Sequence, residues 1–182
     1  MKFIATDVLD TQQKMVEKAA IQLNTPGFAM DPYFYRSHVT YQSELEHIIF
    51  KSWLYAGHIS QVTEKGDYFL FDIGEDSIII CRDHEGEVRA MHNICRHRGA
   101  RVCEEAKGNR RAFVCPYHGW GYGTDGSLKA ARDMHVLEGF NPKDYSLKQV
   151  RLVLFQGMIF INCNPDAPDF VKPLSHIKDQ LG

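Results

Sequence analysis

The sequence lacks a long hydrophobic run and contains little cysteine, and each absence excludes a class of protein. No segment of the 182 residues approaches the roughly 20 apolar residues that a membrane-spanning helix needs, and residues 1–7 lack the apolar centre of a signal peptide. Five cysteines in a chain of this length are too few and too unevenly spaced for a disulfide framework. We therefore expect a cytoplasmic protein with no membrane partner, whose cysteines bind a metal or lie buried.

The sequence also lacks an excess of charge of either sign. Its formal net charge is −2 and its isoelectric point is near 6.5, so composition gives no argument for nucleic acid as a partner. No internal repeat and no low-complexity segment interrupts it. A hydrophobic content of 44% and an aromatic content of 12% are enough to bury a core. A folded chain of one main domain is therefore expected.

The first third of the chain favours helices. Apolar side chains recur at helical spacing over residues 6–23, and Asn24–Gly27 ends the pattern. Ser43 and Glu46 form a capping-box motif ahead of an apolar stripe, which predicts a second helix over residues 43–53.

From Gly66 onward, short runs of β-prone residues alternate with turn-forming residues. Many short strands at this spacing favour a small antiparallel sandwich. The predicted fold class is therefore mainly β with N-terminal helices. The predicted strands are Asp67–Ile73, Ser77–Arg82, Glu87–Ile94, Ala112–Cys115, Gln149–Phe155 and Met158–Cys163.

Two doublets that each combine a cysteine with a histidine carry the chemistry. Cys95 and His97 are followed, after 17 residues, by Cys115 and His118. In a Rieske 2Fe-2S centre, two cysteines hold one iron and two histidines hold the other. We expect the four residues to be the ligands of such a cluster, with each doublet supplying one ligand of each kind.

A structural zinc site stays open as an alternative, because two cysteines and two histidines are also a common zinc ligand set. Structural zinc modules usually pair like ligands, however, whereas both doublets here are mixed. The small residues Gly99, Ala100 and Gly119 also favour the cluster, since they would let backbone N–H groups approach its sulfurs.

The residues around the doublets resemble the Rieske non-haem iron oxygenases, the large (alpha) subunits of ring-hydroxylating dioxygenases and related quaternary-amine monooxygenases. The similar segments are Cys95–Arg101 and Cys115–Tyr122, continuing through Asp125–Leu128, with Trp53–His58 upstream and Gly157–Asn162 downstream. The resemblance covers about residues 33–170. It implies the Rieske iron-sulfur fold, a small sandwich with a two-loop cluster-binding subdomain. It also implies that Arg98, Gly99, Tyr117, Gly119, Trp120 and Tyr122 surround the cluster.

The same resemblance implies a division of the chain into a helical segment over 1–54, a Rieske domain over 55–165, and a linker or start of a catalytic domain over 166–182. Respiratory Rieske proteins are less similar. They carry an additional cysteine in each loop where Ala100 and Tyr117 stand here.

Members of this oxygenase family activate dioxygen at a separate mononuclear Fe(II) in a second domain. None of the remaining histidines, with a carboxylate, completes the family's signature for that iron. We therefore expect the chain to be the N-terminal Rieske portion of an oxygenase subunit, with no catalytic residue of its own. The alternative is a free-standing Rieske electron carrier. The implied partners are a reductase or ferredoxin as electron donor and a neighbouring oxygenase subunit, in a homotrimer.

Three further features of the sequence lie outside the four candidate ligands: a basic stretch, the remaining cysteines and His92. Residues 96–111 carry six basic side chains against Glu104 and Glu105, which would steer an acidic electron donor or would be ordinary solvated charges. The remaining thiols of Cys81, Cys103 and Cys163 are expected to be unreactive. His92 is expected to be a packing or surface histidine. The basic side chains are Arg96, Arg98, Arg101, Lys107, Arg110 and Arg111.

Overall fold

The computed structural model describes residues 10–132, 134–136 and 138–174. The chain separates into two compact units, Met1–Lys51 and Ser52–Gly182, which are described in turn. This boundary falls slightly before the one expected at residue 54, and the assignment of 55–165 and 166–182 to separate segments stays a prediction. Across the described ranges, no helix is both long enough and apolar enough to cross a bilayer.

The first unit contains the helices α1 (Gln12–Leu23) and α2 (His38–His47). Helix α1 confirms the first predicted helix from Gln12 onward, whereas residues 6–9 of that prediction lie outside the described residues. The second predicted helix is wrong at both ends, because α2 begins directly after Ser37 and a short 3-10 turn, Ile49–Lys51, follows it.

The start of α2 is set by two polar side chains. The Ser37 hydroxyl accepts a hydrogen bond from the backbone N–H of Thr40 at 2.9 Å. The Asp10 carboxylate accepts hydrogen bonds from the Ser37 hydroxyl at 2.6 Å and from the backbone N–H of His38 at 2.7 Å. These acceptors satisfy free N–H groups of the first helical turn. The Ser37 cap therefore prevails over the capping-box motif at Ser43.

The second unit is built from three antiparallel sheets, with strand orders β1-β10-β9, β4-β3-β2-β5 and β6-β7-β8. This confirms the predicted fold class. A short helix, α3 (Val171–Leu174), follows the last strand. The strands are β1 (Leu54–His58), β2 (Asp67–Ile73), β3 (Asp76–Arg82), β4 (Val88–His92), β5 (Lys107–Asn109), β6 (Ala112–Val114), β7 (Gly121–Gly123), β8 (Leu128–Ala130), β9 (Arg151–Phe155) and β10 (Met158–Asn162).

All six predicted strands are present, with shifts of one to two residues at some ends. The strands β1, β5, β7 and β8 were not expected. β7 reads Gly-Tyr-Gly and β5 reads Lys-Gly-Asn, and glycine and polar residues of this kind usually indicate turns. Both strands form because neighbouring strands supply their backbone hydrogen bonds.

The core of this unit lies against β3 and β7. In β3, Ile78, Ile79 and Ile80 are fully buried, so both faces of this strand are covered. On β7, Tyr122 is also fully buried. The rings of Tyr68 and Phe113 meet edge to face at 5.5 Å in the same cluster of side chains. The β4-β3-β2-β5 sheet and the β6-β7-β8 sheet thus enclose one core. The two loops that carry the cysteine–histidine doublets leave from the edge of this core.

The β3–β4 turn depends on the buried carboxylate of Asp83, which accepts hydrogen bonds from the backbone N–H groups of Glu85 and Glu87 and pairs with Arg89 at 2.8 Å. Burial alone would raise the pKa of Asp83, but the Arg89 and backbone hydrogen bonds outweigh it and hold the pKa below its usual range. Its stabilising contribution is therefore full above the unfolded pKa, near 4, and is lost as the pH falls through the folded value.

We expect Asp83→Asn to lower the free energy of unfolding by about 1–3 kcal/mol at pH 7, because the amide loses the charge paired with Arg89. The variant should also lose stability less steeply than the wild type below pH 4. Urea unfolding followed at pH 7 and at pH 3 checks this. A destabilisation that is equally large at both pH values would contradict the role of the charge.

Candidate metal centre

The first cysteine–histidine doublet lies on a tight loop that follows β4. The backbone N–H of Cys95 donates to the carbonyl of Ala100 at 2.8 Å, and the N–H of Gly99 donates back to the carbonyl of Cys95 at 3.0 Å. Gly99 has a φ of +77°, a conformation in which a side chain is strained. These two bonds turn the chain sharply and close the loop that carries Cys95 and His97.

The second doublet repeats this arrangement between β6 and β7. The N–H of Cys115 donates to the carbonyl of Trp120 at 2.8 Å, and the N–H of Gly119 donates to the carbonyl of Cys115 at 3.0 Å. Gly119 has a φ of +71°. The two loops thus share one hydrogen-bond pattern. The cysteine and the glycine recur at the same places in it, whereas the histidine stands two residues after the cysteine in the first loop and three residues after it in the second.

These bonds concern the N–H groups of the two glycines themselves. The N–H groups of Gly99 and Gly119 bind cysteine carbonyls, whereas the Cys115 sulfur accepts hydrogen bonds from the backbone N–H groups of Tyr117 and His118. That the small residues let backbone N–H groups approach cluster sulfurs stays a prediction. No atom of the described protein lies within 4 Å of where a Cβ would stand at either position. The positive φ angle is therefore a sufficient reason for both glycines.

The two loops bring all four candidate ligands together. The rings of His97 and His118 have centroids 4.6 Å apart, and the Cys115 thiol lies within hydrogen-bonding reach of Cys95. The two thiols are buried, with relative exposures of 3% and 2%, whereas both imidazoles are partly exposed. The site therefore has an inner, sulfur side and an outer, imidazole side.

One unpaired atom at this site fits a metal group. The Nδ1 atom of His97 is buried and has no hydrogen-bond partner among the described residues. A buried nitrogen without a partner is costly unless a ligand satisfies it. Within the described ranges, no three cysteine, histidine or carboxylate side chains converge on a single point. This arrangement of two thiols and two imidazoles is compatible with a two-iron cluster, in which each iron takes two protein ligands.

Burial shifts the pKa of two of these side chains. Burial raises the pKa of the Cys115 thiol. Burial, together with the positive charges of His118 and Arg98, lowers the pKa of His97. A neutral imidazole with a free ring nitrogen is the form of histidine that binds a metal.

Two aromatic residues of the second loop support the ligands directly. The Tyr122 hydroxyl lies 3.3 Å from the Cys95 sulfur and accepts a hydrogen bond from the backbone N–H of Arg96 at 3.0 Å. The Trp120 ring is buried and stacks on His97, with centroids 4.9 Å apart and planes 9° apart. Trp120, at the end of the second loop, and Tyr122, on β7, therefore hold the first loop in place.

The remaining expected neighbours lie at the surface. The Tyr117 ring, 63% exposed, tilts over His118 with a centroid distance of 3.9 Å, and Arg98 is exposed beside His97. His97, His118, Tyr117 and Trp120 line an open groove together with Arg132 and Met134. The imidazole side of the site is therefore accessible to a partner.

The role of Asn93 at this site was not predicted from the sequence. This residue lies two residues before Cys95, is fully buried, and its side chain bonds residues on the far side of the first loop. An Asn at the end of a predicted strand is usually read as part of a turn, so its type alone gave no indication. Its position beside the first doublet was the one available signal.

The thiols of Cys81, Cys103 and Cys163 do not belong to the two doublets. Burial raises the pKa of Cys81 to about 12 and that of Cys103 to about 11, and it also raises the pKa of Cys163. The Cys81 sulfur donates to the carbonyl of Thr124 at 3.2 Å. These pKa directions agree with the expectation that the three thiols are unreactive. His92 is half-buried on β4, as expected for a packing histidine.

The chain is similar in sequence to known proteins. The family model described as "Rieske [2Fe-2S] domain" matches residues 52–141, a range that includes both loops. The chain is 38% identical over 150 residues to the biphenyl 2,3-dioxygenase alpha subunit of Rhodococcus jostii, covering 82% of this chain and 33% of that protein. It is 36% identical over 153 residues to the glycine betaine monooxygenase oxygenase subunit of Pseudomonas aeruginosa, covering 82% and 35%.

Among solved structures, naphthalene 1,2-dioxygenase from a Rhodococcus species, bound to indole, superimposes with a TM-score of 0.78 at 31% identity. The superposition covers 95% of this chain and 40% of that one. The chain spans about a third of the length of the curated relatives it matches.

Proposed function

Because this chain belongs to the Rieske [2Fe-2S] family and corresponds to the N-terminal portion of Rieske oxygenase alpha subunits, we propose that it relays single electrons through a 2Fe-2S cluster. In this proposal, Cys95 and Cys115 bind one iron, and His97 and His118 bind the other. The observation that carries it is the juxtaposition of two loops with the same hydrogen-bond pattern around one unpaired, buried imidazole nitrogen.

When bound, such a cluster supplies reversible one-electron transfer at a higher potential than an all-cysteine cluster, because neutral imidazoles replace two thiolates. The protein contributes the surroundings. The buried thiols exclude water from the sulfur side, and the Tyr122 hydroxyl stabilises the Cys95 thiolate by donating a hydrogen bond. The partly exposed imidazoles of His97 and His118 lie where a partner can approach.

The proposal extends to a longer oxygenase subunit, like the named relatives, of which this chain would form the N-terminal part. We assign dioxygen activation to a mononuclear Fe(II) of a further domain, and electron supply to a reductase or ferredoxin. The neighbouring subunit of a homotrimer would accept the electron, in the cytoplasm. The relatives are named for biphenyl and glycine betaine, so an aromatic hydrocarbon and a quaternary amine are both candidate substrate classes. The sequence downstream of Gly182 in the coding gene would show whether a domain with the iron ligands follows.

Iron and acid-labile sulfide analysis tests the cluster. We expect two irons and two sulfides per chain, and an electron paramagnetic resonance signal that develops only after reduction. Zinc in place of iron, or iron without sulfide, would overturn the proposal in favour of a structural metal site.

A further inference from the structure

The two cluster loops are closed in different ways. The ends of the second loop belong to β6 and β7, whose paired residues Val114 and Gly121 continue a regular ladder. The ends of the first loop belong to no common ladder in the described part of the chain. An isolated bridge between Ile94 and Arg101 is the one β-type pair that joins them. The first loop therefore needs another element to fix its width.

The side chain of Asn93 supplies that element. Its Oδ1 atom accepts hydrogen bonds from the backbone N–H groups of Val102 at 3.0 Å and Cys103 at 2.8 Å. Its Nδ2 atom donates to the Cys103 carbonyl at 2.7 Å and to the Ser77 hydroxyl at 3.3 Å. One amide thus joins the start of the loop to its end and ties both to β3.

The chemistry of this position is restrictive. Asn93 is fully buried, Ser77 is 2% exposed, and the Asn93 backbone N–H also donates to the Ser77 carbonyl at 2.8 Å. The buried partners require two donors and two acceptors from one short side chain, and an amide provides both. A carboxylate has the same shape but no donors, so it would leave the Cys103 carbonyl without its partner.

We propose that Asn93 is a positioning residue, which fixes Cys95 and His97 of the first loop relative to Cys115 and His118 of the second. This rests on the proposed function, because it concerns the same cluster. Tyr122 and Trp120 hold the first loop from the side of the second, whereas Asn93 holds it from the side of β3. Without Asn93, the first doublet can shift while the second stays fixed.

The test compares two buried asparagines of the same unit. Asn93→Asp keeps the side-chain shape and removes both donors. Asn162→Asp is the matched control, because Asn162 is 1% exposed on β10 and its Oδ1 accepts from the Asn164 N–H at 2.9 Å, in a different sheet. We expect Asn93→Asp to lose iron to a chelator about 10- to 100-fold faster than the wild type, as for other residues that orient metal ligands.

A second readout separates positioning from stability. We expect the g values of the reduced cluster to shift in Asn93→Asp and to match the wild type in Asn162→Asp, even where both variants lower the melting temperature alike. If Asn93→Asp does not fold, Asn93→Ser decides by the same measurements. Unchanged g values and iron loss at the control's rate would overturn the inference. A wild-type protein that holds no iron and sulfide would sink the proposed function itself.

Discussion

Replacing Cys115 with alanine is expected to abolish the visible absorption of the proposed cluster, because this removes one of its two candidate cysteine ligands. Cys115 is 2% exposed and lies within hydrogen-bonding reach of Cys95. The melting temperature should also fall, since a group that binds only the folded chain stabilises it. Absorption spectra, iron content and thermal unfolding of the same preparation check both expectations.

Cys103→Ser is the matched control for this substitution. Cys103 is buried at 8% exposure in the same core and lies outside both cysteine–histidine doublets. Its variant should keep the full iron and sulfide content and an unchanged spectrum. A Cys115→Ala variant that retains the cluster, or a Cys103→Ser variant that loses it, would contradict the ligand assignment.

The site was largely predictable from the sequence because its ligands are close along the chain. Each doublet places a cysteine and a histidine within four residues, and the glycine that follows allows the positive φ that closes the turn. The strands that lead into the loops, β4 and β6, were recognised as runs of β-prone residues, whereas β7, which follows the second loop, was not. Local spacing was therefore sufficient to predict which side chains the two loops present, and their assignment as cluster ligands stays a prediction.

Features that depend on distant partners were not predictable in this way. Asn93 acts on Val102, Cys103 and Ser77, and its residue type does not distinguish a buried clamp from an ordinary turn. Helix α2 starts at Ser37 because Asp10, far away in sequence, bonds the hydroxyl and the first turn. In both cases tertiary contacts override a local signal, which a single sequence does not display.

Some basic side chains of residues 96–111 form ion pairs in the structure, and others do not pair in this way. Arg110 pairs with Glu105 at 2.6 Å, and Arg101 pairs with Asp72 at 3.8 Å, so these charges are largely balanced. Arg96 and Arg98 are exposed on either side of His97 in the first loop. The first loop therefore places two exposed positive charges next to His97, on the imidazole side of the site.

Arg98→Glu should slow reduction of the cluster by an acidic ferredoxin or reductase by about tenfold at low ionic strength, because charge steering of this kind raises association rates by about 10- to 1,000-fold in total. The second-order rate constant, measured by stopped-flow absorption under anaerobic conditions, reports this directly. The difference from the wild type should shrink as salt increases and nearly vanish near 1 M, where the screening length falls to about 3 Å.

Lys65→Glu is the control for charge alone, because Lys65 is exposed, has the same sign as Arg98 and lies outside the basic stretch. It precedes Gly66, whose N–H bonds the carbonyl of Arg82 at the end of β3 that is opposite to the first loop. The rate constant of Lys65→Glu should stay within about twofold of the wild type at every salt concentration, since steering depends on where a charge lies relative to the docking face. Two results would show that residues 96–111 carry ordinary solvated charges. One is a wild-type rate that does not depend on salt, and the other is an equal loss in both variants. A selective, salt-dependent loss in Arg98→Glu would place donor docking on the face where His97 and His118 are exposed.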